Sequence, residues 1–232
     1  MDFTDDSGLS ELIQEIKEII SKHKQSTPAI VPAAPNKRRT KERAGKPGSF
    51  GQGVLSAAKA DLGVKEDLGK NDGKRIREYF KLFNMEPGQD WCAVAVSTWM
   101  REAGGGPIAG GAGARNIGTQ FAQANLWVPR KKITKEVMLP GNIAVWSRGG
   151  PGSWKGHIGV ISSSNGNSFT SIEANSGTHS DSVVENSHSI NDTNLLGIGI
   201  LSGYVPKHKE LLANKIDELD MIINAYCNIA KL

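Results

Sequence analysis

The chain has 232 residues, of which 38% are hydrophobic and 22% are charged, and this composition is typical of a globular protein rather than a disordered one. Its length allows one good-sized domain with extensions, and no apolar run approaches the roughly 18 residues that a membrane span needs. The formal net charge of +4 favours an anionic partner, such as an acidic cell-wall polymer or a nucleic acid.

Both ends of the chain predict amphipathic helices, over residues 1–24 and 206–232. We expect these helices to pack on the central domain, to pair with each other or with a second copy, or to bind another protein. The first residues are acidic and polar, unlike a secretory signal peptide, which predicts synthesis in the host cytoplasm. In the C-terminal segment the apolar residues form a heptad seam: Leu212, Ile216, Leu219, Ile223, Tyr226 and Ala230.

Residues 25–53 are rich in Pro, Gly, Lys and Arg, which is typical of a tether. Six basic residues and one acidic residue lie between Lys37 and Lys46. A solvated linker is the simplest interpretation, and contact with a polyanion is the alternative. A nucleic-acid-binding function is not favoured, because no aromatic platform accompanies the charges.

Residues 54–205 predict one α+β domain, because helical patterns precede a series of short strands and such an order is typical of an antiparallel sheet. The turn sequence SSNGN separates the second and third strands as a hairpin would. The predicted helices are 54–63, 73–84 and 92–104, and the predicted strands are 142–147, 157–162, 168–174 and 195–205.

The chain has two cysteines, Cys92 and Cys227, and no CxxC pair. One disulfide is feasible, but a zinc site would need histidines as well. Cys92 follows Asp90 and Trp91 at the predicted start of a helix, where unpaired N–H groups and the helix dipole favour a thiolate. A packing residue, a redox thiol, a metal ligand and a catalytic nucleophile all remain open for Cys92.

His157 and Glu173 are 16 residues apart across the predicted hairpin, so an antiparallel pairing would bring them side by side. Glu173 would then orient the imidazole, and Asn175 would assist or replace it. The other histidines are weaker candidates, because two lie on the terminal helices and two in a Ser/Asn-rich loop: His23, His208, His179 and His188.

The segments DWCAVAVSTWMREAG, LPGNIAVWSRGG, GHIGVI and IEANSG, in this order, resemble the CHAP branch of the NlpC/P60 cysteine peptidases and amidases. The resemblance covers about residues 54–205. It implies a papain-like α+β domain, with helices packed on an antiparallel sheet, that hydrolyses amide bonds of peptidoglycan without a metal. Asn142 departs from the aspartate usual in the family, and we expect little consequence at this turn position.

The same resemblance implies that Cys92 is the nucleophile, His157 the general base, Glu173 the orienting acid and Asn175 a fourth active-site residue. For the substrate groove we expect Trp154, in the loop before His157, together with Trp91, while Gln89 would assist the oxyanion. The remaining domain tryptophans on apolar faces, Trp99 and Trp146, are predicted to be core.

No cofactor is expected. Asp67, Asn71, Asp72 and Asp90 precede the cysteine, and some family members bind calcium near such a segment. Their spacing does not match an EF-hand loop, so a helix cap and a turn are the favoured interpretation.

Two function hypotheses follow. The first is a peptidoglycan hydrolase encoded by a phage, acting at the bacterial cell wall as an endolysin or as a component of a virion tail or baseplate. The second is a structural or adaptor protein of a virion that carries an inactive domain of this type. No wall-binding module is visible, and the sequence leaves open whether an amidase or an endopeptidase results.

Overall fold

The computed structural model describes residues 14, 17, 18, 21, 49–150, 153–205 and 215–223. The four isolated residues and residues 215–223 are helical, whereas most of the predicted terminal helices and of the tether lie outside the described residues. The chain divides into two compact units, residues 37–204 and the two terminal segments 1–36 and 205–232. Within the described part of the chain, no helix is both long and apolar enough to cross a membrane.

Four α-helices precede the main strands: α1 (Phe50–Ala60), α2 (Lys74–Lys81), α3 (Cys92–Glu102) and α4 (Ala114–Gln123). Helix α4 was not predicted. Helix α1 begins earlier than predicted, because the Ser49 side chain accepts a hydrogen bond from the backbone N–H of Gln52 and caps the helix. Residues 50–53 were predicted to be tether, and this is wrong, since they form the first turn of α1 and bury Phe50.

Six strands form one antiparallel sheet: β1 (Trp127–Pro129), β2 (Ile143–Ser147), β3 (Gly156–Ser164), β4 (Ser168–Ser176), β5 (Ser182–Ser189) and β6 (Leu195–Gly199). Their order in the sheet is β1-β6-β2-β3-β4-β5, which confirms the predicted α+β class. The predicted hairpin joins β3 to β4, and the side-chain oxygen of Asn165 closes its turn by accepting from the N–H groups of residues 167 and 168. Two strands, β1 and β5, were not predicted.

The sheet buries apolar side chains on both faces. Ile158 and Val160 of β3 belong to the larger cluster, which also contains the apolar residues of the four helices. Because successive strand residues alternate between faces, Trp146 and Ile161 lie in a second, smaller cluster on the other face. His157 is the register partner of Trp146 and therefore lies on that second face.

A buried carboxylate fixes the position of α3. Asp61, at the end of α1, accepts hydrogen bonds from the Tyr79 hydroxyl at 2.8 Å and from the Trp99 indole at 2.7 Å. Arg75 of α2 contributes an ion pair to the same carboxylate at 2.9 Å. These contacts join three helices around one acid, and α3 in turn contacts β3 and β4. The orientation of the Cys92 helix is thereby set by polar as well as apolar contacts.

Asn142 uses its whole amide group. Its Oδ1 accepts from the backbone N–H groups of Leu201 and Ser202 at 2.9 Å, and its Nδ2 donates to the carbonyl of Val137 at 2.9 Å. The side chain is fully buried. Asparagine therefore has a structural role here that its turn position did not reveal.

We expect Asn142→Asp to lower the free energy of unfolding by about 1–3 kcal/mol, because an aspartate cannot donate to Val137 and places a charge in the interior. Urea unfolding measures the change. Asn165→Asp is the matched control, since the exposed Asn165 oxygen only accepts, and its effect should stay within about 0.5 kcal/mol. Equal losses in the two variants would contradict the prediction.

Candidate active site

Cys92 is the first residue of α3, as predicted, and it carries a free thiol. Its side chain is buried, and burial raises the pKa of the thiol to about 11, with the nearby Asp90 carboxylate acting in the same direction. The Arg148 guanidinium and the backbone N–H of Ala93 oppose this shift. The helix start therefore does not suffice to make a thiolate, and Cys92 is protonated at neutral pH.

His157 and Glu173 meet directly, with Nε2 of the imidazole 2.8 Å from Oε2 of the carboxylate. The two residues are not side by side as predicted, because the residue opposite Glu173 is Gly159. The contact is diagonal, across one step of the β3–β4 ladder. A Cβ atom at Gly159 would lie 2.7 Å from Cγ of Glu173, so the glycine leaves the space that the carboxylate occupies.

The hydrogen bond to Glu173 defines the role of each imidazole nitrogen. Because a carboxylate only accepts, Nε2 of His157 carries the proton and donates it to the hydrogen bond. Nδ1 is buried and has no hydrogen-bond partner among the described residues. Burial lowers the pKa of His157, against the opposing effect of Glu173, so the ring is neutral at pH 7. A neutral imidazole with a bare Nδ1 can accept a proton at that atom.

Glu173 accepts more hydrogen bonds than the His157 contact alone. Ser171 donates to its Oε1 at 2.6 Å, while Asn186 and Ser176 donate to its Oε2 at 2.9 and 3.3 Å. Burial raises its pKa, but the hydrogen bonds from His157 and His188 outweigh burial, and the net pKa lies well below its usual value. Glu173 is therefore a buried anion that its neighbours hold in place.

Sequence reasoning missed His188, which was expected in a loop. It lies on β5, and its Nε2 is 2.5 Å from Oε1 of Glu173. Asn186 and His188 are two residues apart on one strand, and both contact the same carboxylate. The sequence carried a signal for this strand, because the polar residues Asn186 and His188 are two positions apart, as residues on one face of a strand are. The signal was weak because the strand has few apolar residues.

The charge of Arg148 acts on both proposed catalytic side chains. It lowers the pKa of Cys92 and also the pKa of His157. Arg148 is exposed, in the loop between β2 and β3. Arg115 at the start of α4 donates to the carbonyl of Ser153 and so holds the far end of this loop.

Asn175 has different partners from those expected. Its backbone is in the left-handed region with φ of 53°, and its Nδ2 donates to the Ser180 carbonyl at 2.6 Å and to Oδ1 of Asn71 at 3.3 Å. These bonds connect the end of β4 to two neighbouring turns. A hydrogen bond between Asn175 and His157 is not among those of the described residues, and its active-site role stays a prediction.

The decisive comparison is with known protein families. Residues 84–175 match the CHAP domain. The matched stretch includes Cys92, His157, Glu173 and Asn175, which supports a CHAP-domain protein. CHAP domains are generally hydrolases that act on peptidoglycan.

Other comparisons add less. No curated protein gives a significant match. A solved structure titled "The crystal structure of Ly7917" is similar at 19% sequence identity and a TM-score of 0.35. The alignment covers 64% of this chain and 61% of that one.

The three residues predicted to contact substrate lie in different environments. Trp91 is fully buried, its indole donates to Oε1 of Glu66 at 3.0 Å, and it stacks on Tyr79. The prediction of Trp91 as a groove residue is therefore wrong, because its surface is used in the core. Trp154 is 81% exposed, and Gln89 is exposed too. Both stay available to a substrate.

Two of the acidic residues before Cys92 have protein partners. Asp67 accepts from the N–H of Lys74 at the start of α2, and Asp72 pairs with Arg77 at 2.8 Å and accepts from the N–H of Gly73. These contacts are those of a helix cap and a turn. Across the described ranges, no group of three or more His, Cys, Asp or Glu side chains is arranged to hold a metal ion.

Proposed function

We propose that this protein hydrolyses an amide bond of peptidoglycan, with Cys92 as nucleophile, His157 as general base and Glu173 as the acid that orients it. One observation carries the proposal: His157 donates Nε2–H to a buried anion and keeps a buried Nδ1 without a partner. This is the state of an imidazole prepared to accept a proton. Its occurrence within the stretch that matches the CHAP domain supports peptidoglycan as the substrate class.

In the first step, Nδ1 of His157 takes the proton from the Cys92 thiol as sulfur attacks the carbonyl carbon. Among the described residues Nδ1 has no hydrogen-bond partner, Cys92 included, and His157 lies on the sheet face opposite the cluster that contains Cys92, so this step requires the two side chains to approach each other when substrate binds. The thiol has a pKa of about 11, and burial lowers the pKa of the imidazole, so the resting pair is neutral. Deprotonation therefore accompanies attack rather than preceding it. The oxyanion that forms lies near the N-terminus of α3, where the backbone N–H of Cys92 and the Gln89 side chain are the proposed donors.

In the second step, the His157 imidazolium returns its proton to the leaving nitrogen, and the C–N bond breaks to give a thioester and a free amine. Water then attacks the thioester with His157 again as base, which releases the carboxylic acid and restores the thiol. The Glu173 charge stabilises the imidazolium between these proton transfers. The hydrogen bond to Nε2 fixes the orientation of the ring and leaves Nδ1 as the atom that accepts the proton.

The proposed substrate contacts lie in the loop between β2 and β3. Trp154, three residues before His157, offers an exposed apolar surface, and Arg148 offers a positive charge that acts on both proposed catalytic side chains. Peptidoglycan peptides contain carboxylates, so a nearby guanidinium suits this substrate class. Whether the enzyme is a cysteine peptidase or an N-acetylmuramoyl-L-alanine amidase depends on the bond that this loop aligns.

A phage source, action from the host cytoplasm on the wall, and attachment to a virion tail or baseplate through the terminal segments stay predictions. The adaptor hypothesis predicts wall binding without bond cleavage. A calcium requirement would show as activity lost with a chelator and restored by calcium alone. The contacts of Asp67 and Asp72 favour activity without added calcium.

Digestion of purified peptidoglycan tests the proposal. We expect the protein to release new amino groups without new reducing sugar ends, because an amide and not a glycosidic bond is cut. Mass spectrometry of the soluble fragments then identifies the bond, since an amidase frees the lactyl group of muramic acid and an endopeptidase leaves it substituted. Binding to the wall with no new amino groups would favour the adaptor, and reducing ends alone would exclude cysteine amide hydrolysis.

A further inference from the structure

His188 places a second imidazole on the proposed catalytic carboxylate. Its Nε2 is 2.5 Å from Oε1 of Glu173, while Nε2 of His157 is 2.8 Å from Oε2. Each carboxylate oxygen thus faces one imidazole nitrogen. The mechanism above uses only the first of these contacts, and nothing in it requires the second.

Aromatic packing holds the His188 ring in this position. Its centroid is 4.6 Å from the ring of Trp146 and 5.3 Å from that of Phe169, and Trp146 also lies 6.0 Å from His157. His188 is the register partner of Phe169 on the adjacent strand. The imidazole is therefore fixed between two aromatic rings with its N–H directed at Glu173.

The two imidazoles share the charge of Glu173. Glu173 is one negative charge in contact with both rings. Arg148 and His188 both act to lower the pKa of His157, against the effect of Glu173. The interaction of Glu173 with His188 therefore reduces the part of its charge that stabilises a proton on His157.

We propose that His188 is a positioning residue that holds one oxygen of Glu173 and so limits how much of the carboxylate's charge acts on His157. The inference rests on the proposed function, because it concerns the same base. Its consequence is that His157 is less basic than Glu173 alone would make it, and therefore stays an unprotonated base to lower pH.

Two substitutions separate this role from packing. His188→Phe keeps an aromatic ring against Trp146 and Phe169 but removes the N–H contact with Glu173. His188→Gln removes the imidazole but keeps an N–H donor that can reach Oε1 of Glu173. Because the His188 imidazole acts to lower the pKa of His157, both variants should show that pKa raised relative to the wild-type protein.

Imidazole signals followed by NMR over a pH series measure this directly in the full chain, and they need no catalysis. We expect His157 to titrate at higher pH in both variants than in the wild-type protein, with the acid limb of kcat/KM moving in the same direction. His157 curves that overlay in all three proteins would overturn the proposal. Failure of the wild-type protein to release amines would sink the proposed function alone, and if His188→Phe does not fold, His188→Gln decides.

Discussion

Replacing Cys92 with alanine is expected to abolish release of amino groups from peptidoglycan, with a loss of about 10⁴-fold or more in kcat. Without sulfur no thioester can form, and the imidazole of His157 has no proton to accept. Alanine is compatible with a buried helix start, because it removes one atom and is a strong helix former. Rates of amine release from the same peptidoglycan preparation, with circular dichroism to verify folding, give the measurement.

Cys227→Ser is the control for this substitution. It removes the other cysteine of the chain and should leave activity unchanged, since the proposed chemistry assigns it no role. Iodoacetamide should then inactivate the Cys227→Ser protein faster as pH rises towards the Cys92 pKa of about 11. Amine release by Cys92→Ala at the rate of the parent protein would show that the thiol is not the nucleophile.

Much of this site followed from sequence patterns that depend on local physics. Cys92 was placed at a helix start because an apolar helical pattern follows it, and α3 begins there. His157 and Glu173 were brought together because a two-fold alternation and an Asn-Gly turn specify a hairpin, and their side chains form the hydrogen bond. The diagonal register was not predictable, since it depends on where the ladder of β3 and β4 begins.

The features that were missed depend on contacts distant in sequence. His188 lies on a strand whose half-buried positions include polar residues, Asn186 and His188 itself, so no apolar alternation revealed β5. Trp91 follows an exposed loop, and its burial depends on Glu66 and Tyr79, which belong to other elements. The protonated state of Cys92 follows from burial that only the assembled domain creates. Local pattern therefore predicted the identity of the proposed catalytic groups better than their environment.

Glu173→Gln is expected to lower kcat by about 10³-fold, because a neutral amide stabilises the His157 imidazolium less well and can present an N–H where an acceptor is needed. It should also move the acid limb of kcat/KM. The carboxylate raises the pKa of His157 through its hydrogen bond and its charge. Removing it leaves burial unopposed, so the limb moves to lower pH, opposite to the direction expected for the two His188 variants.

The same substitution changes how stability depends on pH. In the folded protein the pKa of Glu173 lies well below its usual 4.5, so the ionised carboxylate stabilises the fold above that pH, and the contribution is lost as pH falls towards the folded-state pKa. Urea unfolding between pH 7 and 3 should therefore show a steeper loss of the free energy of unfolding in the wild-type protein than in Glu173→Gln.

Glu185→Gln is the control for both measurements. It removes an exposed carboxylate on β5 that contacts Ser162, and it should alter neither the acid limb of kcat/KM nor the pH dependence of the free energy of unfolding. If the acid limb of kcat/KM moved equally in Glu185→Gln, the overall charge of the protein, and not the hydrogen bond between Glu173 and His157, would set the pKa of the imidazole.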